Sequence, residues 1–122
     1  REKGLGELVG PNMERWFTKD FRARSPQAIA RMTEMFVATD SAGYIASCEA
    51  IRDMDFSASN PRVTAPTLVI VGKQDPATPP SAGEAIQKQI KGARLASLDA
   101  AHIANVELPK QYTETVLNFL RG

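Results

Sequence analysis

Cysteine, histidine and tryptophan each occur once, as Cys48, His102 and Trp16. A lone cysteine forbids an internal disulfide and fits a reducing compartment, so a cytoplasmic location is expected. One histidine and one cysteine cannot furnish an ordinary zinc site, and no glycine-rich phosphate loop is present. Neither a metal nor a cofactor is expected. No apolar run approaches the roughly 20 residues of a membrane helix, and no secretory h-region is visible, so no membrane partner is expected. An excess of one charge is missing too: 15 Lys and Arg face 14 Asp and Glu, a net +1, which gives no electrostatic footprint for nucleic acid. The chain opens Arg1-Glu2-Lys3 without a methionine and is expected to be part of a longer polypeptide.

What is present divides into two halves. To about Phe56 the sequence predicts helices. Asn12 is placed to cap a short segment carrying Met13, Trp16 and Phe17. Ser25-Pro26 is a helix-start pair, hydroxyl cap followed by proline in the first turn, and Ile29, Met32, Met35 and Phe36 then share a face. A further helix is predicted from Thr39-Asp40-Ser41, with Tyr44, Cys48 and Ile51 at i, i+4 and i+7. Ser57-Ala58-Ser59-Asn60-Pro61 is a break. Beyond it, Thr67-Leu68-Val69-Ile70-Val71 is a β-branched run ended by Gly72, the pattern of a strand covered on both faces in a parallel sheet. Ser81-Ala82-Gly83-Glu84 has the form of a capping box opening a helix to about Lys91, closed by Gly92. Arg94–Leu98 is a second strand, residues 99–108 a loop around His102, and Pro109 starts a last helix with Tyr112, Val116, Phe119 and Leu120 as its stripe. Strand, helix, strand, helix implies an α/β architecture with a right-handed crossover between parallel strands.

Reactive groups in open parallel sheets sit at the carboxyl ends of strands. Asp75 lies three residues past Gly72, and His102 just past the second strand. Neighbouring strands would open both loops on one edge and let side chains 27 residues apart meet. A carboxylate that accepts the Nδ1 proton of a histidine fixes its tautomer and supports the imidazolium formed during catalysis. Acid before histidine is the chain order of one hydrolase class, with the serine earlier still. Each residue alone has an ordinary reading, Asp75 as a turn residue and His102 as a surface loop residue; their joint placement favours chemistry. Asp99 is a weaker rival acid at the base of the histidine's own loop.

A nucleophile is lacking. No Gly-x-Ser-x-Gly elbow occurs: Ser41 and Ser81 have glycine two residues on, but Thr39 and Pro79 stand where the first glycine belongs. Both serines read as helix caps. Cys48, in mid-helix on an apolar face, reads as a small packed hydrophobe.

The stretch from Ala65 to Leu120 resembles the C-terminal part of α/β-hydrolases, through Ala-Pro-Thr-Leu-Val-Ile-Val-Gly, Gln-Asp-Pro-Ala-Thr-Pro-Pro and Leu-Asp-Ala-Ala-His-Ile-Ala-Asn-Val-Glu. Within them it looks most like the 3-oxoadipate enol-lactonases of the β-ketoadipate pathway. Glu14-Arg15-Trp16-Phe17-Thr18 and Cys48-Glu49-Ala50-Ile51-Arg52-Asp53-Met54-Asp55 resemble that family's cap and the helix returning to the core. The resemblance implies an α/β-hydrolase fold with residues 1–56 as a helical cap and 57–122 as the C-terminal part of the core. It implies cofactor-free opening of an enol-lactone, with Asp75 as triad acid and His102 as general base. The elbow, the oxyanion donors and the early strands would belong to an N-terminal half of the hydrolase, in the same or a separate chain. Trp16 is either an aromatic wall over the lactone or ordinary cap packing. Arg15, Lys19, Arg22, Arg24 and Arg31 form a mostly solvated basic face from which one arginine, Arg15 first, could pair the substrate carboxylate. Two other readings stand: a related hydrolase such as an esterase or cofactor-free haloperoxidase-like enzyme, or a non-catalytic interaction module of the same fold.

Overall fold

The computed structural model describes residues 4–122, so the opening Arg1-Glu2-Lys3 lies outside the described residues. Four helices come first: α1 (Val9–Trp16), α2 (Lys19–Arg24), α3 (Pro26–Val37) and α4 (Ser41–Arg52). The second half follows as β1 (Leu68–Gly72), α5 (Pro80–Gln89), β2 (Arg94–Leu98), α6 (Ala104–Glu107) and α7 (Pro109–Leu120). The two strands pair in parallel, Leu68 opposite Arg94 and Gly72 opposite Leu98, as the strand–helix–strand order requires.

The helix starts show where local signals held. Asp40 caps α4, its Oδ2 accepting the Gly43 N–H at 2.7 Å, and Pro26 opens α3. Others did not hold. Asn12 caps nothing: α1 begins earlier, at Val9, and leaves Asn12 buried in mid-helix with its Oδ1 accepting from Arg15 at 2.7 Å. The Ser25 hydroxyl makes no cap bond. The capping box at Ser81 does not form either, because Pro80 with its fixed φ already occupies the first turn and Ser81 falls inside α5. The six-residue α2 was not expected from periodicity, being too short to show any. Its start lies at Thr18, whose Oγ1 accepts the Phe21 N–H at 3.2 Å.

Two apolar clusters order the molecule. Met13, Phe17 and Phe21 form one, with Trp16, Ile29 and Met32 from the helical half and Ile103 and Val106 from the histidine loop packed against it. Phe17 is 1% exposed. Edge-to-face contacts of Trp16 with Phe36 (5.4 Å between centroids) and of Phe36 with Tyr44 (5.5 Å) carry the packing on to α4. The second cluster joins Leu98, Ala100 and Ala104 with Ile70, Leu108 and Tyr112. On the side of β1 that carries Val69 and Val71, α5 comes so close that a Cβ on Gly83 would lie 2.2 Å from Val71 Cγ1.

Several predicted faces are not covered. Ile51 on α4 is 64% exposed, Met35 and Leu120 are exposed, and Cys48, expected to be packed, is exposed as well. Periodicity marks these residues as apolar neighbours on a helix surface, but among the described residues no element lies over them. Leu68, Val69 and Ile70 are only half-buried, less than a strand covered on both faces would be. The edge of β1 away from β2 has no strand beside it among the described residues.

Candidate functional site

Both loops that leave the sheet leave it at the same end. Lys73 N–H donates to Leu98 C=O at 2.8 Å and Gln74 N–H to Ala100 C=O at 3.0 Å, so the parallel pairing continues past the strand ends. The crossing depends on Gly72. A Cβ there would lie 2.3 Å from Ala101 O and 2.6 Å from Ala100 O, so any larger residue would push the histidine loop away.

This closeness brings Asp75 to His102, with Oδ2 2.8 Å from Nδ1. Asp75 is buried, 7% exposed, and its oxygens are fully occupied. Oδ1 accepts the N–H groups of Ala77 (2.8 Å) and Thr78 (2.9 Å), and Oδ2 also accepts the Thr78 hydroxyl at 2.7 Å. Burial works against the charged carboxylate, but the donors from Thr78, His102 and Ala77 together outweigh it and hold the Asp75 pKa below the usual carboxylate range. An ionised Asp75 takes the Nδ1–H of His102, which leaves Nε2 as the nitrogen able to accept a proton. Both residues line an open groove of about 370 Å³, bounded also by Val69, Gly72, Thr78 and Tyr112. The pair can therefore orient and support a general base at the edge of a cavity.

The other expected site residues lie differently. Asp99, the rival acid, accepts from Gln74 Nε2 at 2.9 Å. Trp16 is half-buried, with its ring against Phe36 and its carbonyl accepting the Ile103 N–H at 3.0 Å, immediately beside His102 in sequence. Arg15 is exposed and bonded to Asn12. Neither Trp16 nor Arg15 lines the groove at Asp75 and His102. Among the described residues no group of acidic, histidine and cysteine side chains is arranged to hold a metal ion, and no helix is long and apolar enough to cross a membrane.

Two polar residues at the site were not anticipated. Thr78 had a local signal, since Asp-x-x-Thr in a proline-rich turn is a common side-chain-to-backbone turn. Glu107 had none. It is buried at 4% exposure, and its Oε2 accepts the N–H groups of Ala101 (3.1 Å) and Thr18 (3.3 Å) while Oε1 accepts the Thr18 hydroxyl.

A parallel sheet flanked by helices, with an acid after one strand and a histidine after the next, is the C-terminal architecture of an α/β-hydrolase. The α/β-hydrolase family described as TAP-like protein matches residues 34–120, and this chain belongs to it. More particularly, it is 34% identical over 116 residues to 3-oxoadipate enol-lactonase 2 of Acinetobacter baylyi, covering 95% of this chain and 43% of that protein. The crystal structure of the enol-lactonase from Burkholderia xenovorans LB400 superposes on all of this chain with a TM-score of 0.97 and 39% identity, over 47% of its own length. A hydrolase from Pseudomonas aeruginosa matches with a TM-score of 0.93 and 36% identity, over 46% of its length. The chain thus spans about half the length of the relatives it matches.

Proposed function

We propose that this chain supplies the acid and the general base of a serine hydrolase that opens 3-oxoadipate enol-lactone to 3-oxoadipate, a step of aromatic-compound catabolism in the cytoplasm. The observation that carries the reading is the Asp75–His102 contact at 2.8 Å on the rim of a groove. The likeness to enol-lactonases supports the substrate class. In this reading residues 1–56 are the cap over the substrate and 57–122 the C-terminal part of the core.

A serine from the N-terminal half of the hydrolase, in the same or a separate chain, attacks the lactone carbonyl while His102 Nε2 takes its proton. Asp75 holds the ring by Nδ1 and supports the imidazolium that results. Collapse of the tetrahedral intermediate breaks the ring C–O bond and leaves an acyl-serine. The departing enol oxygen takes the proton from His102, and the enol tautomerises to the ketone. Water, deprotonated by His102, then attacks the acyl-serine, and collapse of the second tetrahedral intermediate breaks the serine ester bond, with His102 returning the proton to the serine oxygen as the carboxylate is released. No metal or cofactor takes part. Backbone donors from the N-terminal half stabilise the oxyanion, a contribution worth roughly 10²–10³ in rate per donor. As the likeness of the cap string implies, Trp16 and Arg15 would meet the substrate from the cap side, outside the groove lined by Asp75 and His102, with Arg15 exchanging Asn12 for the free carboxylate.

The test is turnover by the complete protein. We expect enol-lactone hydrolysis, with kcat lowered at least about 10³-fold in His102→Ala, and no turnover by these 122 residues alone. Undiminished kcat in His102→Ala would remove the general base. Hydrolysis of p-nitrophenyl acetate but not of the lactone would keep the hydrolase and overturn the substrate.

A further inference from the structure

The hydrogen bonds of Glu107 reach in two directions. Its Oε2 accepts the N–H of Ala101, the residue just before His102, at 3.1 Å. The same oxygen accepts the N–H of Thr18 at 3.3 Å, and Oε1 accepts the Thr18 hydroxyl. Thr18 belongs to the helical half, where it caps α2 by accepting the Phe21 N–H. Beside this lies a further cross-link, the Ile103 N–H on the Trp16 carbonyl at 3.0 Å. The residues on either side of His102 are therefore each tied to the 16–18 segment, one through the backbone and one through a buried carboxyl group. The geometry bears on chemistry because Nε2 of His102 must be aimed while Asp75 grips only Nδ1. A ring held at one nitrogen can still tilt with its backbone, and misplacement of about 1 Å at a reacting group costs on the order of 10²-fold in rate.

We infer that Glu107 is a positioning residue for His102: with Thr18 it forms a latch that fixes the histidine loop against the helical cap, so that cap and general base move as one unit. The inference rests on His102 acting as the base proposed above. Glu107 touches no reacting atom and acts through the backbone at Ala101. The carboxylate takes all three donors at once, two N–H groups on Oε2 and the hydroxyl on Oε1, whereas a carboxamide must reverse the side-chain bond and donate to the Thr18 Oγ1 that already accepts from Phe21. Burial sharpens the requirement, since donors that lose this acceptor have no water to replace it.

The experiment uses the complete protein and four variants: Glu107→Gln, Thr18→Val, Thr18→Ser and the double variant Glu107→Gln with Thr18→Val, with His102→Ala as reference. We expect Glu107→Gln to lower kcat at least about 10-fold with KM changed less than about threefold. Thr18→Val should lower kcat in the same way, Thr18→Ser should restore it, and the double variant should be no slower than the slower single one, as two ends of one latch demand. The low-field Nδ1–H proton resonance of His102 should shift or broaden in Glu107→Gln, a change that a purely structural role, felt only as loss of folded protein, does not produce. If Glu107→Gln fails to fold, the Thr18 pair carries the test by itself. Unchanged kcat in Thr18→Val, strictly multiplicative losses in the double variant, or an unmoved resonance would overturn the latch. His102→Ala separates the two failures. An inactive His102→Ala beside a fully active Glu107→Gln sinks only the latch, whereas an active His102→Ala sinks the base on which it rests.

Discussion

The helical half and the α/β half obey the same patterning rule and satisfy it to different degrees. In the α/β half the apolar residues next to the site meet a neighbour: Val71 meets α5 at Gly83, and Ile70 and Tyr112 meet Leu98, Ala100 and Ala104, while Ile86, Leu95 and Leu120 stand exposed away from it. In the helical half Met13, Phe17 and Phe21 are buried as tightly as any core, yet past Tyr44, which packs on Phe36, the apolar residues of α4 open out, with Ile51 exposed and Met54 and Phe56 following it. The difference teaches that periodicity reports which face of a helix is apolar and is silent about what covers it. A parallel strand pair carries stronger information. Its crossover fixes which loops share an edge, so two residues can be placed together before any packing is known.

Beyond His102 itself, the largest effect is expected at Asp75. Asp75→Asn in the complete protein leaves the size of the side chain unchanged but puts an amide against Nδ1 and disfavours the working tautomer, so kcat should fall at least about 10²-fold, somewhat less than in His102→Ala. The same variant has a signature in stability. Because the Asp75 pKa is held below that of an unfolded aspartate, the carboxylate contributes stability that is present above the unfolded value and is lost as pH falls through the folded one. Denaturation from about pH 5 downward should therefore be shallower in Asp75→Asn than in the parent. Equal kcat, or identical acid limbs, would break the assignment.

A smaller effect sharpens the contrast between buried and open faces. Phe17→Ala empties the centre of the first cluster and should cost about 3–5 kcal/mol, whereas Ile51→Ser on the open face of α4 should stay within about 0.5 kcal/mol. Chemical denaturation of both variants of the complete protein checks this. A cost above about 1.5 kcal/mol at Ile51 would show that this face is covered there after all.

The parallel pair and the meeting of Asp75 with His102 were legible because a β-branched run stopped by glycine marks the first strand and the strand–helix–strand order puts both loops on one edge, and α7 was legible because Pro109 opens it. The failures have physical causes. Asn12, Ser25 and Ser81 are residue types that cap helices, but α1 and α5 start where Val9 and Pro80 set them, so the expected cap bonds at Asn12 and Ser81 do not form. The six residues of α2 were too few for a period, and its beginning was carried by Thr18 alone. Glu107 closes the family string at residues 98–107, but its role was not legible there. Its partners Thr18 and Ala101 are 89 and 6 residues away, and nothing at either spacing marks a buried acceptor. Trp16 and Arg15 were marked by the family's cap string and not by geometry, and neither borders the groove that holds Asp75 and His102.

In the proposed division of labour the acid and the base lie on this chain and the nucleophile outside it. A serine-directed fluorophosphonate puts that claim to the most direct trial, because it bonds only to a serine whose proton a neighbouring histidine can take. Labelling of the complete protein, followed by mass mapping of the modified peptide, should place the adduct on a serine outside residues 1–122, and His102→Ala should abolish the labelling. An adduct on a serine within these residues, such as Ser41 or Ser81, or labelling that survives the loss of His102, would contradict the account.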